Sequence, residues 1–390
     1  MTATLERARR AVALAFVANG VAFASWVSRT PAVRDTLGLT STQLGLLLLC
    51  SAVGSLVALP LSGALVHRFG PGRTVLGGGA AVAAGLSLAA SGLGLTMVVL
   101  TALGLLLVGL GISVWDVAMN VEGADVENQL GRPLMPRFHA GFSVGTVLGA
   151  LLGAGAAAIG LDVAWQLVAT ATLALGAVAY AVRSFLVVQP KSEAGAGSLV
   201  ATAWREPRTL LIGVFVLAFA FSEGSANDWM ALAVVDGLGA SDALGALGFG
   251  VFVAAMTVGR TFGGSALQRY GRVPVLRTSA AVTLTGLVLV VFGPGLAWVM
   301  AGATLWGLGT ALGFPVGMSA AADDPRMAAV RVSVVSSIGY TAFLAGPPLI
   351  GLLADSIGIR RGLLVVVVAL LAAMLTVGRT RELETVRATG

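Results

Sequence analysis

Asp116, Glu223, Asp228 and His139 are the ionisable side chains that stand within or beside long apolar runs. A carboxylate in such a setting is costly and is a functional candidate by default. Asp116 follows an apolar run from Met97, and Asn120 lies one helical turn further on, so an acid and an amide share a helix face. Glu223 and Asp228 are five residues apart, on neighbouring faces, with Asn227 and Trp229 adding an amide and an aromatic platform. Withdrawal from water favours the neutral form of a carboxylate and opens reversible protonation near neutral pH. His139 adds an imidazole, a side chain that can relay a proton. Proton uptake and release is the chemistry these groups offer. Asn19 and Trp26, seven apart and so two turns along one helix face, pair an amide with an indole. That pairing suits a polar, ring-shaped or hydroxylated solute.

Each group also has a plainer structural reading. Asp116 lies shallow and pairs with Arg137 or His139. His139 sits in the headgroup layer beside Arg137. Glu223 and Asp228 belong to a solvated helix end. Trp26 is an interfacial belt residue, and Arg260 snorkels its charge toward the headgroups.

The elements that position these residues follow from composition. Of 390 residues, 57% are apolar and only 11% charged, where a water-soluble domain carries about 25% charged residues. Polar punctuation leaves twelve apolar segments, at 11–28, 41–66, 74–92, 95–118, 138–160, 163–187, 208–230, 242–266, 273–291, 294–320, 328–353 and 361–379. Each reaches the roughly 17–20 residues that a helix needs to cross about 30 Å of hydrocarbon. None alternates as a membrane β-strand would, so the spacing predicts an all-helical membrane protein. Four of the 24 basic residues, Arg29, Arg34, Arg360 and Arg361, fall in the segments that are outside if the N-terminus is cytoplasmic, and the other twenty fall inside. That bias places both termini in the cytoplasm of a multi-pass protein of the cell (inner or cytoplasmic) membrane. The basic balance is membrane anchoring and gives no reason to expect nucleic acid as a partner.

The lone Cys50 excludes a disulfide within the chain, and two distant histidines, His67 and His139, make a metal site unexpected. No soluble enzyme site appears among the motifs and no cofactor is expected; no G-x-x-x-x-G-K-[ST] loop is present, so ATP-driven transport would require a separate subunit. The energy source expected is a proton gradient.

The polar stretch 188–207 splits the spans six and six, into halves 1–187 and 208–390. Gly109, Gly111 and Gly153 recur as Gly307, Gly309 and Gly351 at an offset of 198, and Gly63, Arg68 and Gly70 recur as Gly264, Arg269 and Gly271 at 201. Parallel six-helix repeats are the architecture of rocking carriers, with a site near mid-membrane.

The loop Gly63–Arg73 reads GALVHRFGPGR and its second copy, Gly264–Arg272, reads GSALQRYGR. Both resemble the Gly-x-x-x-Asp-Arg-x-Gly-x-Arg signature of the major facilitator superfamily, with His67 and Gln268 at the acid position. The departure removes the loop carboxylate but leaves Arg68, Gly70 and Arg73 for gating or structural contacts. WDVAMN (Trp115–Asn120), GRPLMPRFHAGFSVG (Gly131–Gly145), FSEGSANDW (Phe221–Trp229) and GFPVGM (Gly313–Met318) resemble the branch holding the fucose–proton symporter and the membrane protein of rhizopine biosynthesis. The resemblance implies a proton-coupling role for Asp116 with Asn120. The acid of that symporter's first helix has no match here. Gly145, Gly149 and Gly153 partly resemble an antiporter signature, though Ala150 and Ala154 replace its Pro and last Gly.

The expectation is a major facilitator fold that transports a sugar, polyol or amino-polyol, is coupled to protons, works by alternating access and suffices as a monomer in the bilayer. Export of an amphiphilic drug or metabolite is the alternative, and a non-transporting sensor is a further one.

Overall fold

In the computed structural model, residues 2–131, 134–186, 202–324 and 327–382 are described. Residues 187–201, most of the expected linker, lie outside them. The helices are α1 (Thr2–Val27), α2 (Thr30–Leu37), α3 (Ser41–Phe69), α4 (Pro71–Gly94), α5 (Val98–Leu130), α6 (Met135–Ala158) and α7 (Val163–Ala181). They continue as α8 (Pro207–Leu238), α9 (Asp242–Tyr270), α10 (Arg272–Phe292), α11 (Leu296–Thr310), α12 (Gly313–Ala321), α13 (Ala328–Ile357), α14 (Ile359–Gly362) and α15 (Val365–Thr376). Among the described residues twelve spans are long and apolar enough to cross a membrane, and they match the twelve expected segments.

Several helices overrun the expected bounds, α1 starting at Thr2 and α8 running on to Leu238, and two further differences bear on the site. α5 runs on to Leu130 instead of stopping at 118, because the polar stretch after Asn120 keeps a helix-compatible sequence until Gly131 closes it with a φ of 63°. The tenth span is broken: α11 ends at Thr310 and α12 starts at Gly313.

The chain packs into two compact units. One takes in Met1–Ser192, Asn227–Ala254 and Pro347–Gly362, and the other Glu193–Ala226, Ala255–Gly346 and Leu363–Gly390. Within the first, α5 packs on α3 and α4, and α1 on α6. Lipid tails are as apolar as leucine, so helices in a membrane gain most from close backbone approach at small residues. The stripe on α6 serves this purpose. A Cβ added at Gly145 would stand 2.1 Å from the Val17 carbonyl oxygen, one at Gly149 2.7 Å from that of Val21, and one at Gly153 2.1 Å from the Ser28 hydroxyl. The first two collisions are with the α1 backbone and the third is with Ser28 directly after α1, so the stripe is accounted for by helix packing.

In the first unit side chains also tie α2 to the last turn of α8, the start of α3 to α13, and α14 to α8. The Asp355 carboxylate accepts the backbone N–H groups of Ser41 and Thr42 at 2.8 and 2.9 Å. Together with the Thr40–Gln43 capping box, it satisfies the orphan amides that begin α3. Arg34 bonds the Asp236 carboxylate, and Arg360 donates to the Gly237 carbonyl at 3.3 Å. Arg29 is buried and donates to Gln166 Oε1 at 2.6 Å and to the Leu161 carbonyl at 3.0 Å. Burial pushes the Arg29 guanidinium down from its ordinary value, against the attraction of Asp242 and Asp162. Three of the four arginines that oppose the charge bias are therefore held by named partners. In the second unit Arg331 grips Glu206 through two bonds of 2.7 Å. Burial alone would raise Glu206, but Arg331 and the Thr209 hydroxyl hold it below the usual carboxylate value.

The two signature loops repeat in conformation as well as in sequence. Gly70 alone joins α3 to α4 with φ 79° and ψ 162°, and Gly271 alone joins α9 to α10 with φ 77° and ψ 168°. That region of backbone space is essentially closed to residues with a Cβ. The guanidinium of Arg68 lies over the Phe69 ring and that of Arg269 over the Tyr270 ring, each 5.3 Å from the centroid. His67 and Arg73 are exposed, and a Cβ at Gly63 or Gly264 would meet nothing within 4 Å. Gly70→Ala should therefore destabilise the purified protein by about 1–3 kcal/mol, and Gly63→Ala should change stability by no more than about 0.5 kcal/mol. Unfolding of the two variants in detergent checks this, and equal stabilities would remove the backbone explanation of the signature.

Candidate functional site

In the first unit Asp116 is half-buried on α5. Asn120, one turn on, donates from Nδ2 to the Asp116 carbonyl at 2.8 Å and to Asp116 Oδ1 at 3.3 Å. The expected shared face is present, and the amide steadies the acid. The alternative network is not what the side chains make. Arg137 lines a cavity with Arg9 and Arg10, and the His139 ring meets Phe16 edge-on with centroids 5.2 Å apart.

Asp228 and Asn227 are half-buried on α8, and Asp228 makes no hydrogen bond or ion pair with a described residue. Trp229 beside them is fully buried, and its indole N–H has no partner. Asn19 is 1% exposed and neither its amide oxygen nor its nitrogen is bonded. Trp26 is 4% exposed, so it is an interior residue and not part of an interfacial belt. Buried donors and acceptors are nearly always paired, so Asn19 and Trp229, with Ser25, Ser28 and Trp115 of the same unit, stand out as buried polar groups without a described partner.

In the second unit the polar groups gather around the break in the tenth span. Arg260 on α9 donates from Nη2 to both carboxylate oxygens of Glu223 on α8, at 2.9 Å each. Its Nε reaches the Ala311 carbonyl at 3.4 Å. This corrects the snorkelling reading, because the guanidinium is engaged inside the protein. Ser222 is buried beside them, accepts from the Trp306 indole at 2.8 Å and lies 3.2 Å from the Thr310 hydroxyl. A Cβ at Gly313 would stand 2.0 Å from the Phe219 ring, so α12 can start where it does only with glycine there. Interrupted helices with satisfied backbone groups are the places where membrane carriers build polar sites.

Sequence reasoning missed three residues. Trp115 is fully buried with an unpartnered indole N–H directly before Asp116. Glu122 is 0% exposed, and one carboxylate oxygen accepts the Leu186 N–H. Asp355 caps α3. Trp115 was readable in WDVAMN as an indole within the fourth segment, and Glu122 as a second acid on the same helix had that segment been extended past 118. Nothing in the local sequence marks Asp355 as a partner of Ser41. Among the described residues no group of three His, Cys, Asp or Glu side chains is arranged to hold a metal ion.

Removing either member of the Glu223–Arg260 pair leaves a membrane-embedded charge without its partner. Glu223→Gln and Arg260→Gln should each destabilise by about 1–3 kcal/mol, and the double variant should lose less than the sum. A double-mutant cycle on detergent-purified protein reads the coupling; strictly additive losses would show that the two side chains do not support one another.

Residues 212–388 match the family described as the Major Facilitator Superfamily. The chain is 35% identical to the uncharacterized transporter y4wD of Sinorhizobium fredii, covering 94% of this chain and 97% of that protein. It is 28% identical to the membrane protein MosC of Rhizobium meliloti, covering 92% and 86%. Among solved structures, the nucleoside transporter NupG superposes with a TM-score of 0.78 at 13% identity, covering 95% of this chain and 98% of that one. The E. coli fucose:proton symporter FucP gives a TM-score of 0.67 at 13% identity, covering 96% and 98%. Twelve helical spans long and apolar enough to cross a membrane, the paired signature loops and 35% identity to a transporter over nearly the whole chain lead to one conclusion: the chain belongs to the major facilitator superfamily of membrane transporters.

Proposed function

We propose that this transporter moves a small polar organic solute, a sugar, polyol or amino-polyol, in symport with protons. It works as a monomer by alternating access of the halves 1–187 and 208–390, with both termini in the cytoplasm. The observation that carries the reading is Asp116, a half-buried carboxylate on a span-length helix whose only hydrogen-bonding partner among the described residues is the amide of Asn120. An acid without a cation beside it is free to exist neutral, and a change in hydration between conformations changes its hold on a proton. Proton binding and conformation are then linked. Asp228 shares this character. Glu223 does not, since Arg260 neutralises it, and its role in the proposal is to brace the broken span. Asn19, Asn227 and Trp229 supply amide and indole groups of the kind that recognise hydroxyls and rings. NupG and FucP, which share the fold, are named for a nucleoside and for fucose, both carrying hydroxylated rings.

The test of coupling is Asp116→Asn, which keeps size and hydrogen bonding but cannot titrate. Reconstituted protein should lose accumulation driven by a pH gradient while keeping solute exchange at zero gradient. Normal gradient-driven accumulation would rule out Asp116 as the proton carrier and shift the role to Asp228.

Solute recognition is tested at Asn19. Its side chain bonds no described residue, so Asn19→Ala removes no hydrogen bond among them. A lost solute contact of about 0.5–1.5 kcal/mol corresponds to a two- to tenfold weaker affinity. The readout is ligand-dependent melting against a panel of sugars and inositols. Unchanged affinity at unchanged basal melting would make Asn19 a bystander.

A further inference from the structure

A cavity of about 260 Å³ opens between the start of α1 and the start of α6, lined by Arg9, Arg10, Ala13, Leu134, Arg137 and Phe138. Three of the six side chains are guanidinium groups. One terminal nitrogen of Arg9 bonds Glu6, while its Nε is buried without a partner. Arg10 and Arg137 are exposed and make no hydrogen bond or ion pair with a described residue. The cluster therefore keeps at least two unneutralised positive charges facing one space. Nothing in solute transport, as assigned above, uses them.

Several features narrow the ligand. Guanidinium forks match the oxygen spacing of carboxylate and phosphate, and three converging forks favour the group with more acceptor oxygens. The positive charge comes from side chains and not from the beginning of α6, because the Leu134 and Met135 N–H groups are already accepted by Glu127. The volume is several times the roughly 30 Å³ share of one water, enough for a phosphate with an ester substituent. The remaining wall is apolar: Ala13, Leu134 and Phe138, with Phe138 stacked on Phe16 at 5.7 Å. Arg9, Arg10 and Arg137 directly precede or begin the apolar segments 11–28 and 138–160, the position where basic side chains meet the headgroup layer. Basic pockets between membrane helices at that depth are suited to anionic headgroups.

We propose that this cavity is a binding site for a phosphate group, held by Arg9, Arg10 and Arg137. The phosphate comes from the headgroup of an anionic phospholipid or from a free phosphate in the adjoining solution. Arg7 is the internal control. It lies on the same turn of α1 but donates to the Ala3 carbonyl and is not part of the lining.

The experiment uses full-length protein, delipidated in a non-ionic detergent. Native mass spectrometry follows the binding of phosphatidylglycerol, with phosphatidylcholine as the zwitterionic reference, and a parallel melting titration uses inorganic phosphate. Phosphatidylglycerol should be retained in preference to phosphatidylcholine, and the double variant Arg10→Gln/Arg137→Gln should weaken it at least tenfold, while Arg7→Gln leaves it within twofold. Stabilisation by inorganic phosphate with the same arginine dependence would support the site and identify the free anion as its ligand. Ala13→Phe keeps all three charges and fills the cavity, so it should abolish binding if the pocket, and not the general field of the arginines, is responsible. Failure of both probes to bind the parent would overturn the proposal. So would equal loss in Arg7→Gln and in the double variant, or undiminished binding in a folded Ala13→Phe protein.

Discussion

Inside a bilayer there is no water to accept or donate to a peptide group, so every backbone N–H and C=O must find a partner within the protein. The helical spans meet that demand internally along their length, and the rest of the structure is arranged around the few points where they do not. The tenth span shows this most clearly. Where α11 stops and α12 starts, the Ala311 carbonyl is released from the helix, and it is met by Arg260. An arginine there needs a counter-charge, and Glu223 supplies it. A helix break, a cation and an acid are thus one linked feature, and the Ser222, Thr310 and Trp306 contacts complete its surroundings.

The same demand acts at helix ends. α3 begins with its amides answered twice, by the Thr40–Gln43 box and by Asp355 from distant sequence. α6 begins with its amides answered by Glu127. Carboxylates placed at helix beginnings also suit the local dipole. Several of the acids in this chain are therefore structural, and the ones that stand out as transport candidates are those with no such task. Asp116 and Asp228 are in this group. Glu223 left it once its bidentate partner was visible.

Glycine is what allows helices satisfied in this way to pack closely. The α6 stripe brings the α1 backbone within a distance that no side chain would permit. A partial likeness to an antiporter signature and a packing requirement coincide at Gly145, Gly149 and Gly153, and the geometry is explained by the second alone. At Gly70 and Gly271 the requirement is dihedral. Each is a one-residue turn between membrane helices in a region of backbone space that excludes a Cβ.

Periodicity and composition were enough to determine the twelve spans, and the signature motifs carried the resemblance to the family, because each rests on consecutive residues: apolar length, charge placement, glycine spacing and short residue motifs. The Asp116–Asn120 pair was readable for the same reason, since one helical turn separates its members. What the chain alone left open was which polar groups meet across sequence. Arg260 read equally well as a snorkelling cation or a partner. Trp26 read as a belt residue or an interior one, and Asp116 as a member of an arginine network or an acid held by its own helix neighbour. Tertiary packing decided each of these, because the cost of an unpaired charge or amide in the membrane depends on what lies within about 3 Å of it. For Arg260 and Glu223 that neighbour lies 37 residues away, and for Ser41 and Asp355 it lies 314 residues away.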